Sequence, residues 1–388
     1  MSAAGSASRF YRAVLLGFAL LVSTGSLALG SPFTPSNEHQ VLAELPPGAR
    51  HSADAIRTLA AERLDIALSL AQLDIARART LGDMRFLGYA EAYLDPWVRQ
   101  DAPSAQALIL HATILQSRHA FDASLVELDR ALAERPDDAQ GWLTRATVLR
   151  VLGRYPEALS SCQHMAGSVD QAITALCVES VRGLSGHLNE AYSVLSASQA
   201  GLLRPEARAW RLSELGEMAE RRGDDKAADR WFAEGLALVP GDLYMRAARA
   251  DVLLRQNRAS EVLRLLKGYE ASEPMLLRIA LAHRALHDGS ERTAANALAN
   301  AFELEAQRGD EVHRREQARF LLDVAGKAPE ALNTALHNWR TQREPEDLLI
   351  LCRAAAAAHH PEAAGDALQF LQVNHLQDAR LKLAGVTQ

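Results

Sequence analysis

Three cysteines in 388 residues are too few for a disulfide-built scaffold. Aromatics make up only 5% of the chain, and β-branched runs are scarce, so helix is the favoured state throughout. Basic residues are not in excess: 42 Lys and Arg face 48 Asp and Glu, a formal charge of −6. No basic stripe stands out against that balance, which argues against a phosphate-backbone surface. The pairs Arg221-Arg222 and Arg314-Arg315 read as solvated helix faces, and no nucleic-acid partner is expected. Catalytic signatures are missing too. Gly326-Lys327 lacks the earlier Gly and the following Ser or Thr of a phosphate-cradling loop, and neither G-x-S-x-G nor H-E-x-x-H occurs. The chain is long for a single globular core, yet it carries no obvious linker.

What is present is helical period. From Ala209 to Asp242 the sequence writes a two-helix hairpin. Leu212, Leu215, Gly216 and Ala219 fall at i, i+3, i+4, i+7 on one helix face. Gly223 supplies a left-handed residue to end that helix, and Asp224 caps the next. Ala228, Trp231, Phe232 and Leu236 repeat the spacing on a second helix, closed by Pro240-Gly241-Asp242. The small residues Gly216 and Ala228 let the two helices cross closely. Apolar surface is left over on the outer side, so the hairpin has to stack on copies of itself.

The copies are there. Equivalent hairpins start at Ala105, Ala139, near Ala172, at Ala209, Leu243 and Met275, near Val312 and near Asp347. Up to Val312 the starts are separated by 34, 33, 37, 34, 32 and 37 residues, the mark of a helical solenoid. An irregular first hairpin occupies residues 52–104. Its first helix is expected from near Ser52 to about Arg79, with a break at Gly82-Asp83 and a second helix ending near Asp95-Pro96. The array proper covers 105–374, and residues 375–388 are expected to form a solvating helix that closes it.

Two hairpins carry a motif. Trp142, Ala146, Gly153, Tyr155 and Ala158 in one, and Leu215, Gly216, Gly223, Ala228, Phe232 and Pro240 in another, resemble the signature of the tetratricopeptide-repeat family. The resemblance covers roughly residues 70–375. It implies an all-α fold, a right-handed superhelix of about eight helical hairpins whose first helices line a concave groove. It also implies a non-catalytic scaffold or adaptor that holds a protein or peptide partner in that groove. Thr147, Arg150, Trp210, Ser213, Glu217, Tyr244, Asp251 and His283 are the expected groove residues, with Trp210, Tyr244 and Arg150 as anchors. The basic carboxylate clamp of the family's best-known peptide pocket is absent, since Ser213, Glu217, Glu220 and Asp251 make the central stretch acidic or neutral.

Residues 1–30 stand apart. Arg9 and Arg12 precede an apolar run from Ala13 to Val22, and Ala28-Leu29-Gly30 fits a small-x-small cleavage site. The run of about 10 residues falls short of the ~20 that span a bilayer. An export signal cleaved near Leu29 or Ser31 is therefore expected, the alternative being an N-terminal anchor facing the same compartment, the periplasm if the source is bacterial. No cysteine follows the cleavage region to carry a lipoprotein anchor. Cleavage removes two Arg and no acid, leaving 40 basic against 48 acidic residues, a charge of −8. Pro32, Pro35, Pro46 and Pro47 make residues 31–51 an extended lead-in.

Other chemistry is represented only by fragments along the chain. No cofactor and no metal set is expected: His283 and His287 share a helix face without a further ligand, and His359-His360 reads as a loop pair. The fragment ending at Glu179-Ser180 resembles the start of a lytic transglycosylase active site, where the Glu would protonate a glycosidic oxygen. The rest of that family's motif is absent, and a cell-wall or exopolysaccharide-processing or secretion role stands as the alternative function. A turn near Gly167-Ser168 falls roughly midway between Cys162 and Cys177 on antiparallel helices, so they form a candidate disulfide. The other outcome is two small buried apolar side chains. Cys352 has no partner in reach and is expected to be a free thiol.

Overall fold

The computed structural model describes residues 49–198, 204–308 and 312–383, so the expected signal segment, most of the lead-in and the last five residues lie outside the described residues. Among the described residues the secondary structure is helical and no strand is present. The protein is an all-α array. Nine antiparallel hairpins follow one another: α2 Leu64–Leu81 with α3 Arg85–Val98, α4 Ala105–Ser117 with α5 Phe121–Glu134, and α6 Ala139–Val151 with α7 Tyr155–His164. Then come α8 Gln171–Arg182 with α9 Leu188–Ala197, α10 Pro205–Arg221 with α11 Asp225–Leu238, and α12 Leu243–Arg255 with α13 Ala259–Leu265. The last three are α14 Glu273–Leu286 with α15 Glu291–Arg308, α16 Arg314–Asp323 with α17 Ala328–Trp339, and α18 Pro345–Ala357 with α19 Gly365–Val373. Helix α1, Ala49–Glu62, precedes them and a single turn, α20 Arg380–Leu383, follows.

The same chemistry punctuates the hairpins. Asp138, Asp224 and Asp242 each accept a hydrogen bond from the backbone N–H three residues on, at 3.0, 2.9 and 2.8 Å, which satisfies an otherwise orphaned donor. Between the two helices of a hairpin the chain turns through a left-handed residue, Gly153 (φ 73°) and Gly223 (φ 79°) among them. In the turns of other hairpins His119, Asn257 and His359 take that conformation without being glycine. Inside the α10–α11 hairpin the close approach falls on Gly216, where an added Cβ would sit 2.4 Å from the Phe232 ring. Ala219, Ala228 and Phe232 share one buried cluster beside it.

Three sequence expectations are corrected. The first helix is broken at Arg63, whose backbone is extended (φ −132°, ψ 104°), so it forms α1 and α2 rather than one element. Pro96 does not end α3 but lies inside it, in the last turn. Among the described residues the closing helix is α20, which starts at Arg380 and not at 375. Its approach is extended instead, with the Ala379 N–H donating to the carbonyl of Arg221 at 2.7 Å.

That last bond belongs to the main tertiary feature. The C-terminal hairpins come back onto the front of the array. Residues of α5 to α8, including Phe121, Leu149, Tyr155 and Val181, share one core with Leu332, Trp339, Leu348 and Phe370. The returning segment lies against successive hairpin turns: Phe370 against Gly153, His375 against Gly186, and Ala379 against Gly223. Gly153 has to be glycine twice over, by its positive φ and because a Cβ would meet the Phe370 ring at 2.5 Å. At the other edge Leu243 packs against Gly82, and Thr80 against Gly241.

Candidate functional site

The first helices of the later hairpins enclose a cavity. Helices α10, α12, α14, α16 and α18 line a space of about 680 Å³, with Gly82 and Met84 of the α2–α3 turn at one side and Arg380 at another. Apolar lining comes from Leu243, Met275, Leu281, Leu349 and Ile350. Tyr244, in the first turn of α12, is 53% accessible to solvent inside this concavity. Crowding by protein and the carboxylates of Glu217, Glu344 and Glu346 push its phenol well above the ordinary value.

Six arginines face the cavity, and each is held by acids from a neighbouring helix. Arg255 meets Glu220 at 2.5 Å and Asp225 at 2.8 Å. Arg278 and Arg319 both meet Asp251 at 2.7 Å. Arg315 meets Asp347 and Glu344 at 2.6 Å each, and Arg353 meets Asp323 at 2.5 Å. Arg380 gathers Asp378, Glu346 and Glu220, at 2.6, 2.9 and 3.7 Å. The ion pairs run from α10 round to α20 as a belt. In partly desolvated surroundings each depends on its partner, because an uncompensated charge left there is costly. The two arginines beside Asp251 hold its carboxyl well below the usual carboxylate range despite burial.

The expected groove residues divide. Tyr244 and Asp251 line the cavity. Arg150, Trp210, Ser213 and Glu217, on α6 and α10, lie outside the cavity lining, and Arg150 and Glu217 face Glu344 at the start of α18. Arg150 binds Glu214 at 2.6 Å, and Trp210 Nε1 donates to the same carboxylate at 3.0 Å while its ring packs between two buried clusters. Ser213 is buried, 3.5 Å from the Glu217 carboxylate. Burial and the neighbouring Glu214 raise Glu217 to about 8. Thr147 donates to the Leu143 carbonyl of its own helix at 2.9 Å. His283 lies outside the cavity lining and pairs with Asp288 at 2.6 Å, while His287 ends α14 in a left-handed conformation.

The arginine belt was missed because its members read as ordinary exposed charges. A signal existed: Arg315, Arg319 and Asp323 are spaced by four and share a face of α16, as Asp251 and Arg255 do on α12. Two expected solvated arginines are corrected for the same reason. Arg221 is buried and donates to the Gly183 carbonyl, and Arg315 is clasped by two acids.

Cys162 and Cys177 are joined in a disulfide with Cα atoms 5.5 Å apart, linking α7 to α8. Cys352 is a free, buried thiol that burial pushes up to about 11. Glu179 is buried on α8 against Arg182 at 2.9 Å, away from the cavity lining.

No family model matches this chain, and no curated protein matches it. Among solved structures it is similar to PilF of Pseudomonas aeruginosa, at 16% identity over 69% of this chain and 99% of that one, with a TM-score of 0.31. Yeast Tom70 is similar at 11% identity, covering 84% and 85% of the two chains, TM-score 0.42. The Cut9-Hcn1 heterotetramer of the APC/C is similar at 14% identity, covering 84% and 70%, TM-score 0.42. On its own hairpin geometry, with repeating caps, left-handed turns and first helices facing a common interior, this chain has a tetratricopeptide-like all-α fold.

Proposed function

We propose that the protein is an exported scaffold that takes an extended segment of a protein partner into the interior bounded by α10, α12, α14, α16 and α18. The observation that carries this reading is Tyr244, a large aromatic left half-open beside Leu243, Met275 and Leu281 in a cavity of about 680 Å³. Aromatic side chains in concave, mostly apolar surroundings are the usual anchors of such complexes. Export is supported by the character of residues 1–30 and by the Cys162–Cys177 disulfide, which persists in oxidising compartments. The glycan-processing alternative would be favoured by a pair of free carboxylates facing across the cavity. Of the acids lining the cavity only Glu273 stands without a guanidinium, and Glu220, Asp251, Glu316, Asp323 and Glu346 each face one, an arrangement that favours binding over acid–base work.

A photo-crosslinking side chain at position 244, with position 126 as control, tests the reading in the native envelope. Val126 is 60% exposed on a second helix. The expected result is a discrete protein adduct at 244 and none at 126. Equal labelling at both positions, or retention of glycan without protein, would overturn it. Tyr244→Ala should leave the melting temperature unchanged and weaken the adduct's native complex. Trp210→Ala should instead lose about 3 kcal/mol of stability, since that ring is part of the packing. N-terminal sequencing of the envelope fraction should find a chain starting near Leu29 or Ser31, and an intact Met1 on cytosolic protein would count against export.

A further inference from the structure

Glu273 opens α14, Glu305 lies in the last turns of α15, and His313 is the N-cap of α16. One ligand atom from each, two carboxylate oxygens and a ring nitrogen, lies within 4.8 Å of both others. Glu273 and His313 border the interior cavity, and all three residues border a second, open hollow beside the α2–α3 turn. We infer that Glu273, Glu305 and His313 form a binding site for a divalent transition-metal ion, Zn²⁺ being the one their chemistry suits best. The inference is independent of the scaffold reading.

Geometry and charge both point there. Tetrahedral zinc with bonds near 2.0–2.1 Å needs its ligand atoms about 3.4 Å apart. The His313–Glu305 pair at 2.7 Å has to open slightly, and Glu273 has to move in by an ångström or so, which is within reach of side-chain rotation. Glu273 is the telling member. Among the described residues it has no salt-bridge or hydrogen-bond partner, and it stands half-buried next to a second carboxylate. With one imidazole between them the two carboxylates are undercompensated, whereas a divalent ion with a neutral imidazole balances them. An imidazole with two carboxylates is a nitrogen–oxygen set suited to zinc, and three protein ligands leave a fourth position for water.

The His313 ring nitrogen would give its lone pair to Zn²⁺, and Glu273 and Glu305 would each give a carboxylate oxygen. The bound ion would tie the start of α14 to the junction of α15 and α16 and stabilise the array there.

The test is calorimetric titration of ZnCl₂ into the untagged, EDTA-treated protein. One Zn²⁺ per chain and a raised melting temperature are expected. Glu273→Gln removes a ligand that has no partner to lose, so it should fold as the parent does and bind Zn²⁺ at least ~10-fold more weakly. His313→Gln should weaken binding at least as much. Zinc bound equally well by the parent and both variants would place it on surface histidines and overturn the site. So would the absence of saturable binding, which leaves the trio as an ion pair.

Discussion

At Gly216 a hydrogen atom faces the Phe232 ring where any other residue would put a methyl group. Gly216→Ala should destabilise the protein by about 1–3 kcal/mol, because neither the ring nor the α10 backbone can withdraw from a filled core. Gly88, in α3, has nothing within 4 Å of a built Cβ, so Gly88→Ala should stabilise by about 0.5–1 kcal/mol. Thermal melts of the two variants should move in opposite directions. Glu217 is the residue where pH enters. Its carboxyl is raised to about 8 by burial and by Glu214 and Glu344, with Arg150 and Arg221 opposing. Raised in the fold above an unfolded value near 4.5, it favours folding fully only below that value, and the benefit is lost as pH rises through about 8. Glu217→Gln should therefore match the parent at pH 4 and exceed it in stability above pH 8, as read from urea midpoints.

Between elements, the disulfide staples neighbouring hairpins inside the core that Tyr155, Met165 and Val181 share. Helices α7 and α9 are short, ten residues each, and α8 has to bridge them. Closing a separation of 15 residues is worth about 3 kcal/mol on the chain-entropy account. Replacing both cysteines by Ala should cost about that much, and reduction of the parent should lower its denaturation midpoint similarly. Thiol labelling of the denatured, unreduced protein should find one reactive group, Cys352. Three labelled thiols would show that the bond does not form in the protein as isolated.

For the whole molecule, closure is the property that matters. Arg380 is 7% exposed and joins the chain's end to α10 and α18 through Glu220, Glu346 and Asp378. Arg380→Ala removes the guanidinium that Glu346 faces, while Glu220 keeps Arg255, at an expected cost of about 3 kcal/mol. If the returning segment holds the array wound, the variant should also show a larger radius of gyration by small-angle scattering. An unchanged radius with lowered stability would make Arg380 a local clasp only.

Period, caps and turns are local, and the chain states them locally. The hairpin starts at Ala105, Ala139, Leu243 and Met275 follow from helix periodicity and from Asp, Gly and Pro at fixed offsets, each acting within a few residues of itself. The α7–α8 pairing of Cys162 and Cys177 is nearly as local, because two antiparallel helices joined by a short turn bring equidistant residues together. The fate of the concave face depends on how much each hairpin rotates on the last, a small angle summed over nine. That sum brings Phe370 to Gly153 and Glu344 to Arg150 and Glu217, residues well over a hundred positions apart. It turns Trp210 and Arg150 from open groove into packing, and charges that read as solvated into a buried belt. Tyr244 alone among the expected anchors stays open, since the array's curvature leaves space in front of α12 and fills it in front of α6 and α10. Sequence patterns record which faces are apolar, but only the accumulated twist decides which inward faces meet each other and which still meet water.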